Sequence, residues 1–353
     1  MMMPRLVPLA LCAALLATLS TAQASPNAEA DWQAVLALEA GPQNLAGVQA
    51  REQIRDITLS HLYKQEGALR QFLREHPESK HFVDAQLCLS RLFAVRSDFS
   101  GSAEDLQTAV QILRDGMASA PAGRRADFDF ASLTLSVGAM NNNPSTAQRE
   151  AFTSQVLTFR LRYPGDRRIA PLLAETAVLY DNDPKRKNEL LGLAQAEAQT
   201  PEVQARIQDD IKRLGFLGKP VEVRGTSATG GTMDVANLRG MVVMVYFFAG
   251  WSAPSMAQLD QVESLRKAYE KDGLAVVGVN LDASREELDR TLKAHNLDWT
   301  VLFDGKGWKS PLVRSLSINA IPALWVFDRR GNLRTLNLKG DPDAFLRPLL
   351  AEK

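Results

Sequence analysis

Two serines three residues apart, Ser252 and Ser255, stand in the stretch Trp251-Ser252-Ala253-Pro254-Ser255. A serine hydroxyl is a weak nucleophile until a base takes its proton. The chain has four histidines, His61, His76, His81 and His295, and none is near these serines in sequence. A Ser–His pair could arise only through folding, so a hydrolase built on Ser252 is one expectation. The other is structural. Serine is a favoured helix N-cap, because its oxygen accepts a backbone N–H that the first turn leaves open. Read this way, the two serines close a turn and carry no reaction. Sulfur is scarce: the cysteines are Cys12 and Cys88. Cys88 lies in the run Ala85-Gln86-Leu87-Cys88-Leu89 and reads as a small packed residue, with a reactive thiol as the other reading. His76 and His81 lie five apart across a proline turn. No cysteine or acidic cluster is seen to complete a metal site with them. Both read as surface or packing residues, and no metal or cofactor is expected.

The elements around the serines can be read from composition. Met241 to Phe248 is apolar and rich in β-branched and aromatic residues, and Gly240 bounds it. It reads as a buried central strand. Beyond the serines, Met256, Leu259, Val262, Leu265 and Tyr269 recur at helical spacing. Pro254 sits where a first-turn proline is tolerated, since its missing N–H would be unpaired there. The serines therefore occupy a strand-to-helix elbow at the carboxyl end of a strand, where ligands gather in open α/β sheets. Leu274 to Asn280 reads as a second buried strand, parallel to the first through a right-handed crossover. Arg285 to His295 reads as the next helix. Leu324 to Phe327 and Leu333 to Leu338 read as an antiparallel hairpin, and Asp341 to Leu350 as a closing helix. Gly230-Gly231 signals a hairpin turn ahead of the central strand.

This elbow resembles the active-site turn of the thioredoxin-like proteins, in particular the TlpA/ResA-type thiol-disulfide oxidoreductases and the related redoxin families. Their motif is Trp-Cys-x-Pro-Cys. Here Trp251 and Pro254 keep the frame, and Ser252 and Ser255 take both cysteine positions. The resemblance extends to Leu238-Arg239-Gly240-Met241-Val242-Val243, to the glycine-tryptophan loop Gly305–Trp308, and to Ile321-Pro322, where the family places a cis proline facing the elbow. Ala323 stands where the family often has threonine. The resemblance implies an α/β thioredoxin-like domain with a mixed central sheet flanked by helices over residues 218–353. It also implies a groove formed by Trp251, Ser252, Ala253, Pro254, Ser255, Ile321 and Pro322 that accepts an extended segment. It would wrongly suggest a reductase, because a thiolate is the working species of a C-x-x-C site.

Residues 25–217 read as an all-helical domain. Leu59–Phe72, Phe82–Val95, Leu106–Met117, Phe152–Leu161, Ile169–Tyr180 and Val203–Leu214 carry apolar residues at three- and four-residue spacing. Phe72-Leu73-Arg74-Glu75-His76-Pro77 is echoed by Phe159-Arg160-Leu161-Arg162-Tyr163-Pro164. The form resembles the boundary between tetratricopeptide-like hairpins, and an irregular bundle is the alternative. Arg5, the apolar run Leu6–Leu19 and Ala22-Gln23-Ala24 read as a signal peptide over residues 1–24, too short to span a membrane comfortably. Removal of that segment would leave Cys88 as the remaining cysteine. Lysine plus arginine, 41, equals aspartate plus glutamate, 41, which gives no electrostatic case for nucleic acid. The expectation is an exported, redox-inactive module that binds a protein or peptide. The alternative is a thiol-disulfide oxidoreductase working through Cys88 or a partner's thiols.

Overall fold

The computed structural model describes residues 26–42, 50–140, 144–181, 183–338 and 340–352. The expected signal peptide, residues 1–24, lies outside them. By contact density the chain divides into two compact units, one up to Tyr163 and one from Pro164 onward.

The first unit is helical: α1 (Pro26–Glu39), α2 (Arg51–Glu75), α3 (Phe82–Ser100), α4 (Ala103–Ser119), α5 (Arg125–Ala139) and α6 (Thr146–Arg162). Consecutive helices pack against each other in chain order. Trp32, Leu69, Phe72, Leu89 and Phe93 share one core, because their spacing puts each on the inner stripe of its helix. The echoed sequence has a common local cause. His76 and Tyr163 both cap their helices with nearly the same backbone angles, φ −129° and ψ 55° against φ −126° and ψ 62°. Each N–H returns to a phenylalanine carbonyl one turn back, Phe72 and Phe159. Each ring rests on that phenylalanine at 5.1 and 5.0 Å between centroids. An aromatic ring before proline thus ends both helices. The following proline biases its predecessor away from helical angles.

Inside this unit Arg96 is buried between Asp105 and Glu66 and lies over the Phe93 and Tyr63 rings. Charged hydrogen bonds on both sides of the guanidinium offset its desolvation. Helix α1 is fastened by polar contacts at the α2–α3 turn. His81 bonds Glu29 at 3.1 Å and stacks on Trp32 at 5.0 Å, and His76 bonds Asp31 at 2.8 Å. His81 is buried, as a packing residue should be.

The second unit opens with α7 (Ile169–Ala177), α8 (Pro184–Glu197) and α9 (Pro201–Leu214). The change from helix to strand falls between α9, which ends at Leu214, and Arg224. The change in packing comes earlier, at Tyr163–Pro164. The reason lies at the end of α9: the Phe216 ring lies 6.1 Å from the Trp325 ring, and Arg213 donates to the Ser317 carbonyl. The strands are β1 (Arg224–Thr226), β2 (Thr232–Asp234), β3 (Val242–Phe248), β4 (Leu274–Asn280), β5 (Val301–Leu302), β6 (Ala323–Phe327) and β7 (Leu333–Thr335). β1 and β2 form an antiparallel hairpin across Gly230 and Gly231, both at positive φ. The other five form a mixed sheet in the order β5-β4-β3-β6-β7. β3 is parallel to β4 and antiparallel to β6.

Every residue of β3 is buried. Its alternation divides the core into two layers. Val242, Met244, Tyr246 and Phe248 face α10 (Ala253–Tyr269) and α13 (Pro342–Ala351), while Val243, Val245 and Phe247 face Trp325, Phe327 and α12 (Pro311–Ser315). Between β4 and β5 runs α11 (Arg285–Ala294). Gly278 in β4 lets the Trp299 and Phe248 rings approach the backbone, since a Cβ there would collide with Trp299. β5 was not legible in the sequence; two residues are too few for an alternation to register.

The fastening of α1 carries an acid dependence. The hydrogen bond from His81, then those from Lys80 and Gln33, lower the Glu29 carboxyl from 4.5 to about 2. A lowered carboxyl contributes stability that is present above about pH 4.5 and lost as pH falls toward 2. The protection factors of the α1 amides, corrected for the intrinsic pH dependence of exchange, should therefore fall over that window in the natural chain, and less steeply in Glu29→Gln. Equal slopes in the two proteins would contradict this.

Candidate functional site

The elbow stands where β3 ends. The Ser252 N–H donates to the Ala249 carbonyl at 3.1 Å, which turns the chain, and α10 begins at Ala253. Ser252 is the N-cap of that helix. Its Oγ accepts the Ser255 N–H at 3.3 Å and the Ser255 hydroxyl at 2.9 Å. Pro254 lies in the first turn, where no N–H is required. Both serines are buried, Ser255 completely and Ser252 to 6% exposure, while Trp251 is 57% exposed and Ala253 and Pro254 are exposed.

Register brings the second sequence feature to the same place. Ala323 opens β6 opposite Phe247, so Pro322 falls at the β3 end that leads into the elbow. The Ile321–Pro322 bond is cis. All seven residues expected to form the groove, from Trp251 to Ser255 with Ile321 and Pro322, therefore sit at one end of the sheet. Ile321, Pro322 and Ala323 are half-buried.

Three polar residues that the sequence reading did not single out hold the elbow from below. Asp282 is fully buried just past the end of β4 and accepts the Gly250 N–H at 2.8 Å. Its other oxygen accepts from the Asn280 side chain at 2.8 Å, and its own N–H donates to the Asn280 Oδ1 at 3.0 Å. Gly250 has no room for a side chain, because a Cβ would strike the Thr291 hydroxyl and lie 3.4 Å from Asp282. The third is Tyr246, whose buried phenol donates to the Ser255 carbonyl at 2.6 Å. The signal for Asp282 was its position: an Asn-x-Asp step at the carboxyl end of a buried strand, beside the elbow strand.

Among the described residues no histidine bonds Ser252 or Ser255, and His295 pairs instead with Asp260 at 3.4 Å. Cys88 lies half-buried in α3 of the first unit, with an Arg91 nitrogen 3.9 Å from its sulfur. One reading needs correction. Acidic groups do stand beside His76: Asp31, Glu75 and His76 hold one ligand atom each within 4.8 Å of one another. Asp31 reaches the cluster from α1, 45 residues away in sequence, so linear spacing could not reveal it. No helix among the described residues is long and apolar enough to cross a membrane.

Residues 240–333, which run from the start of β3 to β7, match the family model described as thioredoxin-like. The chain carries a thioredoxin-like domain. Sporulation thiol-disulfide oxidoreductase A of Bacillus subtilis is 26% identical over 145 residues, 40% of this chain and 76% of that protein. Thiol-disulfide oxidoreductase ResA of Oceanobacillus iheyensis is 25% identical over 136 residues, 37% of this chain and 69% of that protein. Among solved structures, a thiol-disulfide oxidoreductase from Bacteroides fragilis aligns with a TM-score of 0.35 and 21% identity, covering 36% of this chain and 97% of that one. The thioredoxin-like domain accounts for the elbow, the cis proline and the mixed sheet. The helices before residue 240 lie outside the family-model match.

Within the thioredoxin-like domain Tyr246 couples elbow geometry to pH. Burial raises its phenol above the ordinary value of 10.0, and the Ser255 side chain opposes that only in part. A raised phenol contributes stability that is whole below about pH 10 and lost at higher pH. Tyr246→Phe removes one hydrogen bond from the Ser255 carbonyl, which keeps its acceptor role inside α10, and should cost about 0.5–1.5 kcal/mol at neutral pH. It should also remove part of the alkaline loss. Urea unfolding at pH 7 and above pH 10 checks both, and an unchanged neutral stability would contradict the role given to the phenol.

Proposed function

We propose that this protein is an exported, redox-inactive member of the thiol-disulfide oxidoreductase lineage that binds an extended polypeptide at the elbow. The observation that carries the reading is the pair of hydroxyls at the two positions where its relatives' chemistry needs sulfur. A hydroxyl cannot form a mixed disulfide or cycle between oxidised and reduced states. The Ser255 hydroxyl is also spent on Ser252 and not aimed at solvent. Around that pair the frame of a peptide groove is kept: an exposed Trp251, a half-buried cis Pro322 and the open end of a sheet. A partner strand would pair with backbone beside Pro322 and rest on the indole of Trp251.

Export is supported by the apolar segment and the small-residue step in residues 1–24. The helical region would supply a second partner surface. We take residues 218–353 as the thioredoxin-like domain proper and 25–217 as the helical domain. Neither nucleic acid nor a cofactor enters the reading.

The test is a disulfide-reduction assay on the natural protein, on Ser252→Cys/Ser255→Cys, and on Cys88→Ala. The two hydroxyl oxygens lie 2.9 Å apart, so paired sulfurs there would need only a small approach to reach bonding distance of about 2.05 Å. The natural protein should show no thiol-dependent turnover and the double variant should gain it. Turnover by the natural protein that disappears in Cys88→Ala would overturn the reading in favour of an oxidoreductase. Labelling of Ser252 by an acyl-phosphonate probe would overturn it in favour of a hydrolase.

A further inference from the structure

The sheet is closed against strand addition along most of its length. At one end, residues 218–220 cover the start of β7: Gly218 donates to the Leu333 carbonyl at 2.8 Å, Leu333 donates to the Lys219 carbonyl at 2.9 Å, and Pro220 bridges Asn332. At the other end, residues 226–228 cover β5, with Ala228 donating to Val301 at 2.7 Å and Phe303 donating to Thr226 at 2.9 Å. Coverage of this kind is how natural sheets avoid unwanted pairing.

Among the described residues the first half of β4 has a strand partner on one side only. β4 is seven residues long, yet β5 pairs with it only at Gly278 and Val279. The chain ahead of β5 explains this. It donates no strand to the first half of β4, because Asp298 and Trp299 turn away toward α10. There Asp298 meets Arg266 at 3.1 Å and the Trp299 indole donates to Glu263 at 3.1 Å. The remaining β4 residues, Leu274 to Val277, line a cleft of about 340 Å³. Backbone direction follows from the bonds on either side. Val242 donates to Gly273 and Leu281 donates to Phe248, so odd-numbered residues of β4 face β3. The Gly278 N–H goes the other way, to Thr300. Leu274 and Val276 therefore turn their N–H and C=O groups into the cleft. Among the described residues no strand pairs with them there.

The walls state what would fit. Met233, Leu238 and Met241 line one side, and Arg266, Glu270 and Asp298 the other. The polar wall carries spare negative charge. Arg266 is shared among Glu263, Glu270 and Asp298, and the Glu270 and Asp298 side chains remain 62% and 71% exposed. Side chains of an added strand alternate between the two walls. We propose that the open edge at Leu274–Val277 binds an extended segment of a partner protein that is apolar on one face and carries lysine or arginine on the other. It joins the sheet as a strand beside β4. This surface is separate from the elbow. β3 and β4 run parallel, so the cleft lies at the amino ends of the strands and the elbow at their carboxyl ends, about 20 Å apart along β4.

The experiment uses the whole chain and a blocked six-residue peptide of alternating lysine and valine, with amide exchange as the readout. In the free protein the Leu274 and Val276 amides should exchange faster than those of Ala275 and Val277. Peptide at millimolar concentration should slow them. Val276→Pro removes the N–H offered to the peptide and spares the β3 ladder, since proline is tolerated where the N–H faces away from the sheet. It should bind about tenfold more weakly, the loss expected for one backbone hydrogen bond. Val276→Ala keeps the N–H and should bind within about threefold of the natural chain. If Val276→Pro does not fold, Glu270→Lys/Asp298→Lys serves in its place, and it should come to prefer a glutamate-valine peptide. Three results would overturn the proposal: no protection at Leu274 and Val276, protection confined to the elbow, or a concentration-dependent dimer sealed through this edge.

Discussion

The geometry of the site depends on one short hydrogen-bonded step at the end of the central strand. Ser252 caps α10 with the same oxygen that receives the Ser255 hydroxyl. That oxygen satisfies an N–H which a buried helix start would otherwise leave open. The carbonyl of Ser255 is taken by Tyr246, and the N–H of Gly250 by Asp282. The Ser255 N–H, the Ser255 carbonyl and the Gly250 N–H thus each have an oxygen or N–H/O–H partner. The turn is held by hydroxyl, phenol and carboxylate oxygens.

The sheet gives that step its rigidity. β3 is buried on both faces, so its register cannot slip without moving every side chain to the wrong layer. Its antiparallel pairing with β6 fixes the cis Ile321–Pro322 step beside the elbow. Its parallel pairing with β4 delivers Asn280 and Asp282 underneath. On its outer side the opposite end of β4 has no strand partner among the described residues, because Asp298 and Trp299 turn toward α10 and only two residues return as β5. A closed, polar-satisfied end and an open, unpaired end are thus products of one topology.

Much of this could be read from the residues. The elbow was legible because an apolar β-branched run, a tryptophan, a proline and a helical period occur in order. The hairpin was legible because two adjacent glycines supply the positive φ it needs. The echoed helix ends were legible because an aromatic ring before proline acts locally. What escaped notice depends on contacts distant in sequence. Asp282 looks like any polar residue after a strand until β4 is laid against β3. Asp31 and His76 approach through the fold of α1 on α2, and no spacing rule relates residues 45 apart. The contact of the end of α9 with the strand region is made by Phe216 meeting Trp325 and Arg213 reaching the Ser317 carbonyl, residues that carry no local signal.

The central claim is that the elbow has no redox state. The most direct measurement follows the Trp251 indole and the Ser252 and Ser255 amides by nuclear magnetic resonance. The natural protein would be equilibrated in glutathione buffers from fully reduced to fully oxidised. The account predicts that these signals stay in place across the whole series. A shift that tracks the buffer potential at any of the three would show a redox couple at the elbow and contradict the claim.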